Sequence, residues 1–199
     1  GLDSGTVSIH TRVWDPGFYQ LKTDSRKYRD WKRQGHGWMT LHDALMESCD
    51  VYFYDLAFKA GVDTLHDYLS RFGFGAQIAL DIHDAKPGVL PSREWKRKHR
   101  RSAWFPGDSL NMGIGQGFML TTPLQLAVGT TMLARKGRWV MPRLIRDSLP
   151  ESQPTQALPA DVTLQKPEYW DAVFEGMEAV MHARKGTART SAQGAGYHI

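Results

Sequence analysis

Glu47-Ser48-Cys49-Asp50-Val51-Tyr52-Phe53-Tyr54 sets a hydroxyl, the only thiol of the chain and a carboxylate side by side. Just upstream, Thr40 has the character of an N-cap, with Asp43 at the third helical position as its reciprocal partner. A short helix burying Leu41, Ala44 and Leu45 is therefore expected to run into the three polar groups. Val51, Tyr54, Leu56 and Ala57 then resume helical spacing until Gly61 ends it. A third helix is expected after Asp63, carrying Leu65, Tyr68 and Leu69 towards Phe72-Gly73-Phe74-Gly75. Reactive groups in a break between two helices leave capping, catalysis and metal binding open. Capping is the commonest use of Ser and Asp at such a place.

Outward from this stretch the chain alternates between broken and helical segments. Residues 1–35 are polar and aromatic, with Pro16-Gly17 marking a turn. Residues 76–112 read as loops and short strands interrupted by Pro87, Pro91 and Pro106. The next helix starts with Thr122 as N-cap, Pro123 at the first position and Gln125 closing a capping box; Arg135 and Lys136 suit its last turn and Gly137 stops it. Trp139-Val140-Met141 reads as a strand, and 147–167, with four prolines, as a loop. An amphipathic helix from Tyr169 to Ala183 presents Trp170, Val173, Met177, Val180 and Met181. There are no internal repeats. The expected class is α+β, mixed and mostly helical.

Composition narrows the function classes. The 199 residues suffice for one core of ordinary size, so residues 1–199 are read as one domain or a large piece of one. An apolar fraction of 41% and an aromatic fraction of 11% exclude a disordered chain. The net charge of +4 demands no nucleic acid. No run approaches the ~20 apolar residues of a membrane span. A single cysteine excludes an internal disulfide, and Gly1 in place of Met is expected of a piece of a longer protein. Gly113-Ile114-Gly115-Gln116-Gly117 lacks both the Gly-Lys-Ser/Thr ending of a phosphate loop and the dinucleotide spacing. It reads as a glycine-rich turn where backbones approach closely.

Taken together, Ser48-Cys49-Asp50-Val51-Tyr52-Phe53-Tyr54, Gly113-Ile114-Gly115-Gln116-Gly117 and Thr121-Thr122-Pro123-Leu124-Gln125-Leu126-Ala127 resemble the transpeptidase domain of class B penicillin-binding proteins. Asp30-Trp31-Lys32, Gly35-His36-Gly37 and Arg93-Glu94-Trp95-Lys96 narrow the resemblance to elongation-type penicillin-binding protein 2, over essentially the whole chain. The resemblance implies a serine-type D-Ala-D-Ala transpeptidase that cross-links peptidoglycan stem peptides by acyl transfer during cell elongation. It implies β-lactams as acylating inhibitors, and a SEDS-type glycosyltransferase and shape-determining proteins as partners. The implied location is the periplasmic face of the inner membrane, with the anchor outside this chain. Ser48-Cys49-Asp50 corresponds to the family's Ser-x-Asn motif. Ser48 would relay protons between the catalytic lysine and the leaving nitrogen. Asp50 replaces the usual Asn and donates only when protonated. Ser-x-x-Lys and Lys-Ser/Thr-Gly are both absent, and Lys185-Gly186-Thr187 reads as a helix end. The family's Lys-Ser/Thr-Gly strand would follow a segment like Tyr197-His198-Ile199. The chain is thus expected to be the middle of the domain, inactive alone, with its nucleophile elsewhere.

Asp15, Asp30, His36 and Cys49 are four ligand-competent side chains leading into the same turn. Spacing alone favours humbler roles: Asp15 in a turn before Pro16, Asp30 paired with Arg29 or Lys32, His36 on the surface. Some penicillin-binding protein 2 members carry zinc at positions that look equivalent, and the resemblance thus implies a closed, structural Zn2+ site at 1–50. The alternative to the enzyme is a zinc-stabilised, non-catalytic scaffold module of the elongation machinery. Arg93, Lys96, Arg97, Lys98, Arg100 and Arg101, interleaved with Trp95 and Trp104, suit single-stranded nucleic acid by composition. A solvated loop, or one facing an acidic partner or glycan, is the better reading, so no nucleic acid is expected.

Overall fold

Short paired strands organise the N-terminal segment that the sequence leaves broken. The computed structural model describes residues 1–78, 84–143 and 160–194. In chain order the elements are β1 (Val13–Asp15), β2 (Phe18–Gln20), β3 (Lys27–Arg29), β4 (Gly37–Met39), α1 (Leu41–Met46), α2 (Asp50–Arg71), α3 (Arg93–Arg100), α4 (Pro106–Gly113), α5 (Pro123–Ala134), α6 (Glu168–His182) and α7 (Arg189–Ala192). The class is the expected mixed α+β, dominated by helix. Its residues group into two compact units: Gly1–Gly61, Phe105–Gly115 and Leu164–Ile199 form the first, Val62–Trp104 and Gln116–Thr163 the second.

In the first unit β1 pairs antiparallel with β4, placing Asp15 opposite Gly37 and Val13 opposite Met39. β2 pairs antiparallel with β3, Tyr19 opposite Tyr28. Trp14 and Trp38 meet edge to face on the exposed side, while Asp15 and Met39 turn inward. At the expected Pro16-Gly17 turn the chain crosses itself tightly. A Cβ on Gly17 (φ 93) would lie 2.3 Å from the Arg33 carbonyl oxygen, and one on Gly35 (φ 78) 2.2 Å from that of Asp15. Only glycine fits either position. Three-residue strands are too short to show alternation, which is why the sequence does not reveal them.

α1 starts as predicted: Thr40 Oγ1 accepts from Asp43 N at 3.3 Å and Asp43 Oδ2 accepts from Thr40 N at 3.2 Å. Gly61 breaks α2 with φ 74 and ψ 163. The next helical stretch resumes at once with buried Val62 rather than after Asp63. The core joins Leu2, Val7, Leu21, Tyr28, Met39, Leu41 and Ala44 to Cys49, Val51, Tyr52, Tyr54 and Leu110, with Tyr169, Ala172 and Val173 of α6 packed on it. α6 itself is the expected closing helix, within a residue at each end. Gly113, at the end of α4, has the anticipated close approach: a Cβ there would sit 2.4 Å from Ala57 Cβ.

In the second unit α5 bears the full predicted cap, with Pro123 in its first turn. Two sequence expectations fail in this unit. Residues 76–112 hold α3 here, and α4 in the first unit, as well as loops, so the basic run is a helix rather than a loop. Ser92 caps α3 by accepting from Trp95 N at 3.1 Å, and Glu94 occupies its first turn. Trp139-Val140-Met141 is not a strand: Trp139 N donates to the Asp161 carboxylate at 2.8 Å, and no described residue offers a ladder. Of the expected loop 147–167, residues 160–167 contain neither helix nor strand and the rest lies outside the described residues, as does Tyr197-His198-Ile199. No helix among the described residues is long and apolar enough to cross a membrane.

Candidate active site and metal centre

Ser48 occupies the turn between α1 and α2, exposed and in the left-handed region with φ 53. That conformation costs a non-glycine residue about 1–2 kcal/mol, so surrounding contacts must impose it. Cys49 N donates to Ala44 O at 2.9 Å and Ser48 N to Leu45 O at 3.3 Å, closing the C-terminus of α1. The indole Nε1 of Trp31 sits 3.0 Å from both the Glu47 and Ser48 carbonyl oxygens. From the chain's other end, Thr187 N donates to Met46 O at 3.2 Å. Thr187 Oγ1 also lies 2.8 Å from Ser48 Oγ. Glu47 is bracketed by Lys185 Nζ at 3.0 Å and Lys32 Nζ at 3.7 Å. The hydroxyl therefore stands at the surface on a turn gripped from both sides.

Asp50 opens α2, half-buried, where a carboxylate suits the positive helix end. Its Oδ2 accepts from Trp31 N at 3.3 Å. Burial, then the nearby Asp30 charge, push its carboxyl above the ordinary range.

Asp15, Asp30, His36 and Cys49 do come together. One ligand atom from each lies within 4.8 Å of the other three. His36 Nδ1 is 2.6 Å from Asp15 Oδ2 and 3.5 Å from Asp30 Oδ1. The Cys49 thiol points at Asp15 Oδ2 from 3.5 Å. Asp15 does cap the Pro16-Gly17 turn, accepting from Gly17 N at 2.6 Å, but His36 is not on the surface and the burial of the set goes beyond the humbler readings. Asp15 is 1% exposed, Asp30 4% and Cys49 0%, and the His36 side chain is fully enclosed. Asp30 meets Lys32 through the latter's backbone N at 2.9 Å. Backbone donors fix both carboxylates: Gly17 N and His36 N on Asp15 at 2.6 and 2.9 Å, Val51 N on Asp30 at 3.3 Å. Two buried carboxylates and a thiol against one imidazole make a site short of positive charge. Burial above all pushes the Cys49 thiol far up, with Asp15 and Asp30 adding to it and a hydrogen bond with the Tyr52 backbone offsetting only part. The buried His36 Nε2 has no hydrogen-bond partner among the described residues. Donor types, enclosure and charge all fit a divalent cation of the zinc kind.

Three contributors escaped the sequence reading. Trp31 stood within a quoted tripeptide but carried no sign that it clamps the Ser48 turn. Glu47 and Thr187 meet partners far along the chain, and no local pattern encodes that.

The family described as penicillin binding protein transpeptidase domain matches residues 1–199. The peptidoglycan D,D-transpeptidase MrdA of Haemophilus influenzae is 36% identical over 196 residues, 97% of this chain and 30% of that protein. MrdA of Escherichia coli K12 is 33% identical, over 100% of this chain and 32% of its own length. This chain thus spans roughly a third of the curated relatives it matches. Among solved structures, PBP2 of Pseudomonas aeruginosa aligns with a TM-score of 0.89 at 49% identity, covering 96% of this chain and 42% of that one. PBP2 of Helicobacter pylori, solved as a complex with MreC, aligns at 0.85 and 29% identity, covering 99% and 37%.

Proposed function

This chain belongs to the penicillin-binding protein transpeptidase domain family, within its elongation-type PBP2 branch, and from that premise we propose that it forms part of the acyl-transfer groove of a peptidoglycan D,D-transpeptidase. In such an enzyme a serine attacks the D-Ala-D-Ala carbonyl of a stem peptide and the terminal D-Ala departs. An amine of a neighbouring stem then takes the acyl group. The attacking serine is assigned to no residue of this sequence, which lacks Ser-x-x-Lys. Ser48 is the proton relay and Asp50 an acceptor lining the same groove.

The observation that carries this reading is the exposed Ser48 hydroxyl, on a left-handed turn that the closing bonds of α1 form and that Trp31 and Thr187 grip from outside. Arg101 and Lys136 are left-handed past the ends of α3 and α5 as well, so Ser48 is distinguished by its hydroxyl, bonded to Thr187 on a turn clamped by Trp31. The transpeptidase names of the relatives favour an enzyme over a scaffold module. The test is labelling of the full-length protein with a fluorescent penicillin, a substrate mimic for the nucleophile. Ser48→Ala is expected to slow labelling by about 10²-fold or more, the usual worth of a positioned proton-transfer group. Labelling at the parental rate would remove Ser48 from the chemistry, and a parent protein that never labels would end the enzyme reading.

Asp15, Asp30, His36 and Cys49 would hold Zn2+, which supplies positive charge to the buried carboxylates and lets the thiol bind as thiolate. All four positions are taken by side chains, so the role is structural: it ties β1–β4 to the start of α2. Elemental analysis should find about one zinc per protein and less in Cys49→Ala. Equal zinc in both would exclude Cys49. Location on the periplasmic face, and partnership with a shape-determining protein and a SEDS-type glycosyltransferase, belong to the same proposal. The Helicobacter pylori complex with MreC supports the first partner, and a neighbour described as a peptidoglycan synthase complex supports the second.

A further inference from the structure

We propose that Thr187 is a positioning residue for Ser48: its hydroxyl donates to Ser48 Oγ and so leaves the Ser48 proton aimed at the groove. The inference rests on the reading of Ser48 as a proton relay and adds to it a residue from the far end of the chain.

The two hydroxyl oxygens are 2.8 Å apart across 139 positions of sequence. Both residues are exposed, so without Thr187 the Ser48 hydroxyl would face exchanging water, which holds no single orientation. Thr187 suits the task because its own position is over-determined. Gly186 N donates to Ala183 O at 3.0 Å, Ala188 N to Val180 O at 3.1 Å and Thr187 N to Met46 O at 3.2 Å. Gly186 leaves no room for a side chain, since a Cβ would lie 2.3 Å from Val180 O. Lys185 Nζ adds a second staple through Glu47, the residue before Ser48. β-Branching then restricts the Thr187 χ1 rotor on this fixed backbone.

Hydroxyl chemistry sets the direction. Each hydroxyl has one proton and two lone pairs, and the geometry permits either to donate. A serine that passes protons must keep its own proton available, so Thr187 donates and Ser48 accepts.

The experiment measures the second-order rate of labelling by fluorescent penicillin across pH, in the full-length protein. Thr187→Val removes the hydroxyl at nearly constant shape and should slow labelling by about tenfold, the upper worth of one net hydrogen bond. Thr187→Ser should stay within about twofold of the parent, because it restores the donor. In a Ser48→Ala background Thr187→Val should have no further effect, since the group it orients is gone. Parental labelling by Thr187→Val, or the same slowing with and without Ser48, overturns the proposal. Thr187→Ala, checked by circular dichroism, repeats the test should the valine variant melt early. Loss of folding in both variants would make Thr187 structural and equally end the proposal. Parental labelling by Ser48→Ala is a separate outcome: it removes the relay reading itself.

Discussion

α5 and α2 enter their helices by different means. α5 carries its cap in its own sequence: Thr122 Oγ1 accepts from Gln125 N at 3.1 Å and Gln125 Oε1 from Thr122 N at 3.0 Å, with Pro123 beside them. α2 has no such box. Before it come a left-handed Ser48 and a buried Cys49, and the Val51 N–H is received by Asp30, 21 positions upstream. A local cap holds whatever the rest of the chain does. A borrowed cap makes the turn before the helix conditional on the loop that lends it. For α2, the segment that lends this acceptor also carries Asp15, His36 and the Trp31 clamp, three of the four converging residues lying there and Cys49 in the turn itself. The geometry at Ser48 is thereby tied to the polar cluster, whereas the cap of α5 is made by its own first residues. Gln125 extends its local role into a tertiary one, its amide nitrogen lying 2.8–3.2 Å from the carbonyls of Gly73, Ala76 and Pro87.

The contrast breaks most forcefully at Asp30. Asp30→Ala leaves the Lys32 and Val51 amides without their acceptor and takes one donor from the cluster. A loss of roughly 3 kcal/mol is expected from chemical denaturation of the full-length protein. Limited proteolysis should open residues 1–50 first. A loss under about 1 kcal/mol would show that α2 does not depend on its loop.

Trp31→Phe tests the clamp alone. It keeps an aromatic ring on the side of His36, where the Trp31 ring lies at 5.5 Å, and deletes the donor to Glu47 and Ser48. About 1.5 kcal/mol should be lost, and penicillin labelling should slow with it. Thr122→Ala supplies the control on the other side. It should cost about 1 kcal/mol by denaturation and leave labelling unchanged. Slower labelling there would contradict the independence of α5.

The smallest effect has the opposite sign. Ser48→Gly relieves the left-handed strain and pays glycine's extra entropy, for a net gain of about 0.5 kcal/mol. Labelling should nevertheless fall to the level of Ser48→Ala. A glycine variant less stable than the parent would mean that the Ser48 side chain, not the turn, holds the structure.

Features that depend on residues three or four apart were legible along the chain. The boxes at Thr40 and Thr122, the break at Gly61 and the span of α6 all came from such spacings. α3 escaped because Arg-Glu-Trp-Lys-Arg-Lys-His-Arg carries almost no apolar period and lies among prolines. Its Ser92 cap was nevertheless present in the sequence. Trp139-Val140-Met141 misled for the reverse reason: β-prone residues make a strand only beside a partner.

By itself the sequence determined the capped starts of α1 and α5, the break at Gly61, the span of α6, and which side chains are able to bind metal or move protons. Those properties reside in residue type and short spacing. The tertiary structure alone decided that Asp15, Asp30, His36 and Cys49 share one enclosure, and that Trp31 and Thr187 converge on Ser48 from 17 and 139 positions away. Contacts of that span leave no local trace, because they exist only once burial and chain crossing have brought distant segments to hydrogen-bond distance.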